Sequence, residues 1–347
     1  MSSAAGSRVF SVEVFPPKTE QGIGRLEREF AQLASLSPAY VSVTCAAGPE
    51  ASERTYRTVV WLRERLGADA DVAPHIVAVG ATRPSLRAIL SRYRALGIRH
   101  LVVVRGDAPT GVATMTGEFP HAGDLIAFIR AETGAAFHIE AAAHPEFHPE
   151  ATTAEADLTH FVHKVATGAD SALTQCFYNA DAYFSFVDSC VRRGLALPIV
   201  PGVMPITGYE RLVRFCAAAG VEIPRWLRLR LDGLAGQPET LVAFGADVIG
   251  RLCERLLAGG APGLHFYSMN RAEPTATLWK RLGLVRPSQR PPGETTVSAG
   301  EPERCPAHRV AAPPSVEEGL VELVEERPRA GQLAPSSARR PSPPPRC

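Results

Sequence analysis

A carboxylate stands where few strands tolerate one. Glu13 lies in the run VFSVEVF (9–15), among β-branched and aromatic residues. Burial there costs desolvation energy and pushes a carboxyl toward its neutral form, which suits a general acid working near neutrality. The bland alternative is a core-lining carboxylate paired with an arginine. Arg105-Gly106-Asp107 follows HLVVV directly. Glycine admits a close ligand, a guanidinium suits phosphate, and an aspartate accepts hydrogen bonds from a ring. The same tripeptide also reads as a strand-end ion pair. HPEFHPEA (144–151) sets His144 and His148 four apart beside Glu146 and Glu150. Pro145 and Pro149 disfavour helix in the preceding histidines, so a loop whose imidazoles meet a ligand is expected, and no metal. Asp157, His160 and Lys164 share one helix face, either solvated or lining a phosphate or ribose site. Gln175 sits in the apolar run SALTQCF, where its amide needs a partner that a substrate can supply. Phe215 reads as core. Tyr267, Asn270 and Arg271 follow the last apolar run and are placed to clamp a carboxylate-bearing substrate.

These groups need a scaffold, and the chain repeats one pattern from 8 to 285. Strand candidates are 9–15, 40–44, 72–79, 100–106, 138–143, 171–177, 198–203 and 263–268. Helical stretches, such as 25–36, 53–66, 84–96 and 154–167, lie between them, with two before the last strand. Strand–helix alternation repeated eight times predicts a closed (β/α)₈ TIM barrel. An open doubly wound sheet competes, but no G-x-G-x-x-G follows the first strand; Gly22 and Gly24 lack a third glycine. Active sites of such barrels sit at the C-terminal strand ends. Glu13, Thr44, Arg105, Asp107, His144, Gln175 and Tyr267 collect there, while the strand bodies read as apolar.

Lys+Arg 37 against Asp+Glu 36 argues against a polyanion binder, so no nucleic-acid partner is expected. Seven cysteines with no C-x-x-C pair suit reduced thiols in a cytoplasmic protein. The first ten residues lack the apolar stretch of a secretory signal, and no run approaches a membrane span. Residues 1–7 are expected to be a flexible N-terminus. Thirteen of thirty prolines fall after residue 285, so 286–347 reads as a disordered Pro-rich tail. Ser315 and Glu318 have capping-box spacing within it, a transient helix at most.

In order along the chain, SVEVFPPK, YVSVT, APHIVAVGAT, GIRHLVVVRGD, HPEFHPEA, ADSALTQCFYNADAY, PIVPGVMPI and PGLHFYSMNRAE resemble the methylenetetrahydrofolate reductase family. The resemblance covers about 8–285 and implies a bacterial-type catalytic barrel without a regulatory domain. It implies FAD-dependent reduction of 5,10-methylenetetrahydrofolate to 5-methyltetrahydrofolate by ping-pong from NADH or NADPH, feeding methionine synthesis. Such a barrel binds FAD without a dinucleotide fingerprint, and a homo-oligomer is expected. By the same resemblance Glu13 is the acid that protonates folate N10 and opens the five-membered ring. Asp107 lies at the flavin pyrimidine edge and touches the pterin. Thr44, Cys45, Ala47, His75, Arg105, Gly106, His121, Ala122, His144, His148, Asp157, His160 and Lys164 match positions around FAD. Gln175, Phe215, Tyr267 and Arg271 match positions around the substrate.

The chain departs from the family pattern after Thr44, where Cys45-Ala46-Ala47-Gly48-Pro49-Glu50 replaces a Tyr-Gly start. Histidine also replaces tyrosine at 121 and 144. These changes predict weaker FAD binding, with Glu50 repelling the pyrophosphate if it points inward. Two other functions compete. One is a degenerate family member with little turnover. The other is a barrel hydrolase using Glu13 and Asp107 as an acid/base pair, which a bound yellow chromophore would argue against.

Overall fold

The structure, a computed structural model, describes residues 8–67, 70–106 and 117–284. Asp107, the N-terminal seven residues and the Pro-rich tail lie outside the described residues.

Parallel strands alternate with helices in the expected order. They are β1 (Val9–Val14), β2 (Tyr40–Val43), β3 (Asp71–Val77), β4 (His100–Val104), β5 (His138–Ala143), β6 (Ser171–Thr174), β7 (Ile199–Val200), β8 (Gly202–Val203) and β9 (Gly263–Tyr267). The helices are α1 (Glu20–Ser35), α2 (Pro49–Leu66), α3 (Arg83–Ala95), α4 (Ala122–Thr133), α5 (Ala154–Ala166), α6 (Ala180–Arg192), α7 (Tyr209–Ala219), α8 (Arg225–Asp232), α9 (Pro238–Ala258) and α10 (Ala272–Arg281). The sheet runs β7-β6-β5-β4-β3-β2-β1-β9-β8. Because β7 and β8 are halves of one segment, its two ends meet and the sheet is a nearly closed barrel.

Two expectations need correction. The seventh strand is split at Pro201: Ile199–Val200 pair with β6, and Gly202–Val203 pair with β9. Proline lacks the N–H that a continuous ladder needs. Its carbonyl still accepts from His265 N at 3.0 Å, so the barrel closes across the break. The long interval before the last strand holds three helices, α7, α8 and α9, where two were expected. Pro224 and Pro238 punctuate them, at the N-cap of α8 and in the first turn of α9.

The strand faces divide the labour. Outward positions such as Val12, Val41, Val72, Leu101, Ile139 and Phe266 are buried under the helices in the main core. Phe266 packs on Trp279 of α10 at 5.4 Å, and its truncation to alanine would cost about 3–5 kcal/mol. Inward positions are another matter. Ser11, Tyr40, Ser42, His75, His100, Glu140, Ser171 and His265 are all buried. The strand bodies are thus not apolar throughout, as the sequence suggested; many inward positions hide a polar group, among apolar ones such as Ala73, Val102 and Leu173. Register sets these groups side by side, Ser11 opposite His265, Glu13 opposite Ser42, and Glu140 opposite Ser171.

Local chemistry fixes the helix entries. Thr19, Thr82 and Thr153 cap α1, α3 and α5 through their hydroxyls. Pro49 occupies the first turn of α2, and Glu50 is 93% exposed beside Arg54. The altered loop after Thr44 therefore carries a helix-start signal, and Glu50 points away from the strand ends.

Candidate functional site

Two polar regions form at the C-terminal end of the barrel. The first is axial. Glu13 projects inward between two imidazoles, with Oε2 at 3.3 Å from His75 Nε2 and 3.8 Å from His265 Nε2. Burial alone would raise its pKa, but hydrogen bonds and charge from His265 and His75 outweigh that and hold it at about 2. The expected upward shift is therefore corrected, and its partners are histidines rather than an arginine. His75 Nε2 is buried and lies 3.3 Å from Glu13 without well-aligned hydrogen-bond geometry. His265 is held from both sides, Nδ1 at 2.7 Å from Ser11 Oγ and Nε2 at 3.3 Å from Ser42 Oγ. Tyr267 closes the axial site, its ring edge-on to His265 and its hydroxyl donating to Thr174 O at 2.7 Å.

The second region is a lateral groove of about 480 Å³, within the range of small-molecule sites. It gathers eight of the residues named from sequence: Arg105, His121, Ala122, His144, His148, Asp157, His160 and Lys164. They come from the ends of β4 and β5, the N-terminus of α4 and the inner face of α5. Lys164 reaches past its own helix to donate to Ala142 O at 2.5 Å. Burial lowers its pKa to about 8; Asp157 opposes this and Arg105 adds to it. Burial, with positive neighbours His148, Lys164 and Arg105, lowers that of His144 to about 3, so this ring is neutral. His144 and His148 meet edge to face at 4.7 Å. Asp157 accepts from His148 N, fixing the loop to α5. Lys164 is half-buried at the groove, while His160 on the same helix face is exposed.

Arg105 pairs with Glu150 at 2.7 Å at the groove edge. The carboxylate stands where an anionic ligand group would approach the guanidinium. Gly106 has φ of +82°, and a Cβ there would meet Val77 Cγ1 at 2.3 Å, so only glycine fits beside Arg105.

Other sequence-named residues are placed with less chemistry. Thr44 O accepts from Thr55 Oγ1, tying the β2 exit to α2. Cys45 donates to Ala46 O at 3.2 Å, and Ala47 is half-buried in the same loop. Gln175 Oε1 accepts from Cys176 N, which satisfies the oxygen locally. Phe215 packs against the main core. Arg271 is exposed at the N-cap of α10. Asn270 is not available to clamp a substrate, because its amide bonds both backbone groups of Phe15, pinning β1 to β9 at the barrel mouth.

Sequence reasoning passed over His265, Ser11, Tyr40, Ser42, Glu140 and His100. The signal was present as alternate polar residues in S-x-E, Y-x-S, H-x-E and H-x-Y. Among the described residues no three His, Cys, Asp or Glu side chains are grouped to hold a metal ion, and no helix is long and apolar enough to cross a membrane.

Comparison with known proteins places this architecture. A family model described as methylenetetrahydrofolate reductase matches residues 1–283. A 5,10-methylenetetrahydrofolate reductase of Pectobacterium carotovorum subsp. carotovorum is 38% identical over 279 residues, covering 80% of this chain and 90% of that protein. A probable methylenetetrahydrofolate reductase (NADH) of Oryza sativa subsp. japonica is 31% identical over 83% of this chain and 50% of its own. A solved protein from Clostridium thermocellum, described as binding two copies of 5-methyl-5,6,7,8-tetrahydrofolic acid, superposes with a TM-score of 0.58. It is 17% identical and covers 79% of this chain and 94% of that one, a likeness of fold alone.

Proposed function

The chain belongs to the methylenetetrahydrofolate reductase family, and on that premise we propose that it reduces 5,10-methylenetetrahydrofolate to 5-methyltetrahydrofolate with FAD as hydride carrier and NADH as reductant. The observation that carries this reading is the lateral groove, lined by Arg105, Lys164, neutral His144 and the N-terminus of α4, at the same end of the barrel as the buried carboxylate of Glu13. NADH is preferred to NADPH on the description of the rice relative.

The residues present fit FAD. The groove has a suitable volume, and Lys164 with the N-terminus of α4 offers donors to a pyrophosphate. The orphaned, buried His75 Nε2 offers one more polar contact at the barrel mouth. When bound, FAD supplies the two-electron chemistry that links a nicotinamide to folate.

The chain's own residues do the rest. Arg105 and Lys164 hold anionic groups, with Arg105 exchanging Glu150 for the ligand. His144, neutral and half-buried, stacks on or hydrogen-bonds a ring. Glu13 and its flanking imidazoles hold the proton that N10 takes up when the five-membered ring opens. Glu13 lies within 4 Å of both imidazoles, so a proton can pass between ring and carboxylate on its way to N10. The barrel walls exclude water from that transfer.

The test is spectroscopic. Protein mixed with FAD should turn yellow, NADH should bleach it without oxygen, and methylenetetrahydrofolate should restore the colour. Failure to take up FAD, or bleaching that folate does not reverse, would sink the proposal.

A further inference from the structure

Glu13 stands almost at the end of its strand. Pro16 and Pro17 follow Phe15 and carry no N–H, so the β1 ladder cannot continue past Phe15. The last residue pair of β1 and β9 is Glu13 with Tyr267. Beyond it the chain leaves β9 for α10 through Ser268, Met269, Asn270 and Arg271, and this turn reaches back to β1. The Asn270 amide accepts from Phe15 N at 2.9 Å through Oδ1 and donates to Phe15 O at 2.9 Å through Nδ2. A primary amide used in this way supplies the acceptor and the donor that a neighbouring strand would offer. Ser268 Oγ donates to Glu13 O at 2.6 Å and accepts from Asn270 N at 3.2 Å. On the other edge Thr44 N donates to Val14 O at 3.0 Å. The backbone of residues 13, 14 and 15 is thus held at each residue, from alternate sides.

The turn that does this is held in an unfavoured shape. Met269 and Asn270 have φ of +53° and +52°, and among the described residues Ser37 is the one other non-glycine with positive φ. Asparagine tolerates that region better than most side chains; methionine does not. Such a backbone persists where its surroundings over-determine it, and it gathers at functional sites. Ser268 and Asn270 are both buried, so their bonds are shielded from water. We propose that Asn270 is a positioning residue for the folate step: with Ser268 it fixes the end of β1, and thereby the reach of Glu13 toward His75 and His265. This rests on the reading of Glu13 as the source of the folate proton. The carboxylate stands 3.3 Å from one imidazole and 3.8 Å from the other. A backbone shift of about 1 Å would alter both contacts, and misplacement on that scale can cost about a hundredfold in rate. The lateral groove is built on β4, β5, α4 and α5, so the flavin step does not draw on this turn.

Asn270→Gly deletes the amide and leaves the backbone free to keep its positive φ. Ser268→Ala cuts the other link, to Glu13 O. Hydrogen–deuterium exchange should show the Phe15 N–H opening faster in the glycine variant than in the parent. In rapid-mixing experiments FAD uptake and bleaching by NADH should match the parent. The folate half-reaction, measured at saturating folate, should slow by about ten- to a hundredfold in Asn270→Gly and by less in Ser268→Ala. A parental folate rate in the glycine variant would overturn the proposal. Equal slowing of both half-reactions would reduce the clamp to general packing and also overturn it. So would a rise in the folate KM alone, which would assign the turn to Arg271, next in the chain, rather than to Glu13. If the glycine variant does not fold, Ser268→Ala carries the same outcomes. A parent protein that fails to reduce folate would sink the proposed reaction and this role with it, while exchange at Phe15 would still show whether the amide holds β1.

Discussion

The barrel axis and the lateral groove use the same residue types and treat their charges in opposite ways. On the axis, shifts favour ions: Glu13 and Glu140 are held at about 2, and His100 rises to about 9. Each has an ionisable partner within 4 Å. In the groove, shifts favour neutral forms, with Lys164 down to about 8 and His144 to about 3. Burial dominates there, although Asp157 stands beside Lys164 and Glu150 beside Arg105. The axis pairs its own ionisable groups, whereas the lysine of the groove is where the proposed reading puts an anionic cofactor.

The comparison breaks most readily at Glu13. Glu13→Gln keeps the shape and removes the acid, so the folate half-reaction should slow by about 10²–10⁴-fold. FAD uptake and bleaching by NADH should persist, because that step does not draw on the axial proton. An unchanged folate step in rapid-mixing experiments would remove Glu13 from the mechanism.

The groove is tested next through Lys164. Lys164→Met should weaken FAD binding by roughly ten- to a hundredfold, the worth of a charged hydrogen bond. The pH dependence carries a sign. The free ammonium titrates near 8, and an anion favours its charged form, so affinity should be full below that pH and fall above it. Titration of the apoprotein with FAD from pH 7 to 10 should show the decline in the parent and a flatter profile in the variant. Equal slopes would mean that Lys164 does not face the ligand.

A smaller effect sharpens the groove's own departures. Restoring tyrosine at 45, 121 and 144 together should tighten FAD binding by roughly tenfold, at about 1.4 kcal/mol per decade. Glu50 needs no change, since it already faces solvent. Weaker binding in the triple variant would show the loop repacked around its own residues.

The smallest expected effect lies deep on the axis. His100 is raised from 6.5 to about 9 by Asp71 and Glu140, against the opposing effect of burial. A raised histidine contributes stability fully below 6.5, lost as pH climbs through 9. The melting temperature should therefore fall by a few degrees across that window, and Glu140→Gln should flatten the fall. A flat profile in the parent would mean the pair forms equally in the unfolded chain.

Much of this was legible in the chain. Apolar and β-branched runs at eight places, separated by capped helices, point to a parallel sheet covered by helices, and the missing G-x-G-x-x-G tilted that reading from an open doubly wound sheet to a closed barrel. Glu13 and Arg105 could be named because charges in or beside such runs are costly, and Lys164 because it shares a helix face with Asp157 and His160. Period-two alternation even marked Ser11, Tyr40, Glu140 and His265, although an apolar reading of the strand bodies hid them.

What the sequence determined by itself was therefore which residues would be buried and at which end of the barrel the chemistry would gather. Only the tertiary structure decided the partners. Glu13 and His265 lie 252 residues apart in sequence yet 3.8 Å apart in space, and their strands become neighbours only when the barrel closes. Burial alone would raise the Glu13 pKa, but hydrogen bonding to His265 and His75, with charge from both, lowers it to about 2. Burial can be inferred from local composition; the sign of a pKa shift depends on neighbours that the chain supplies from far away.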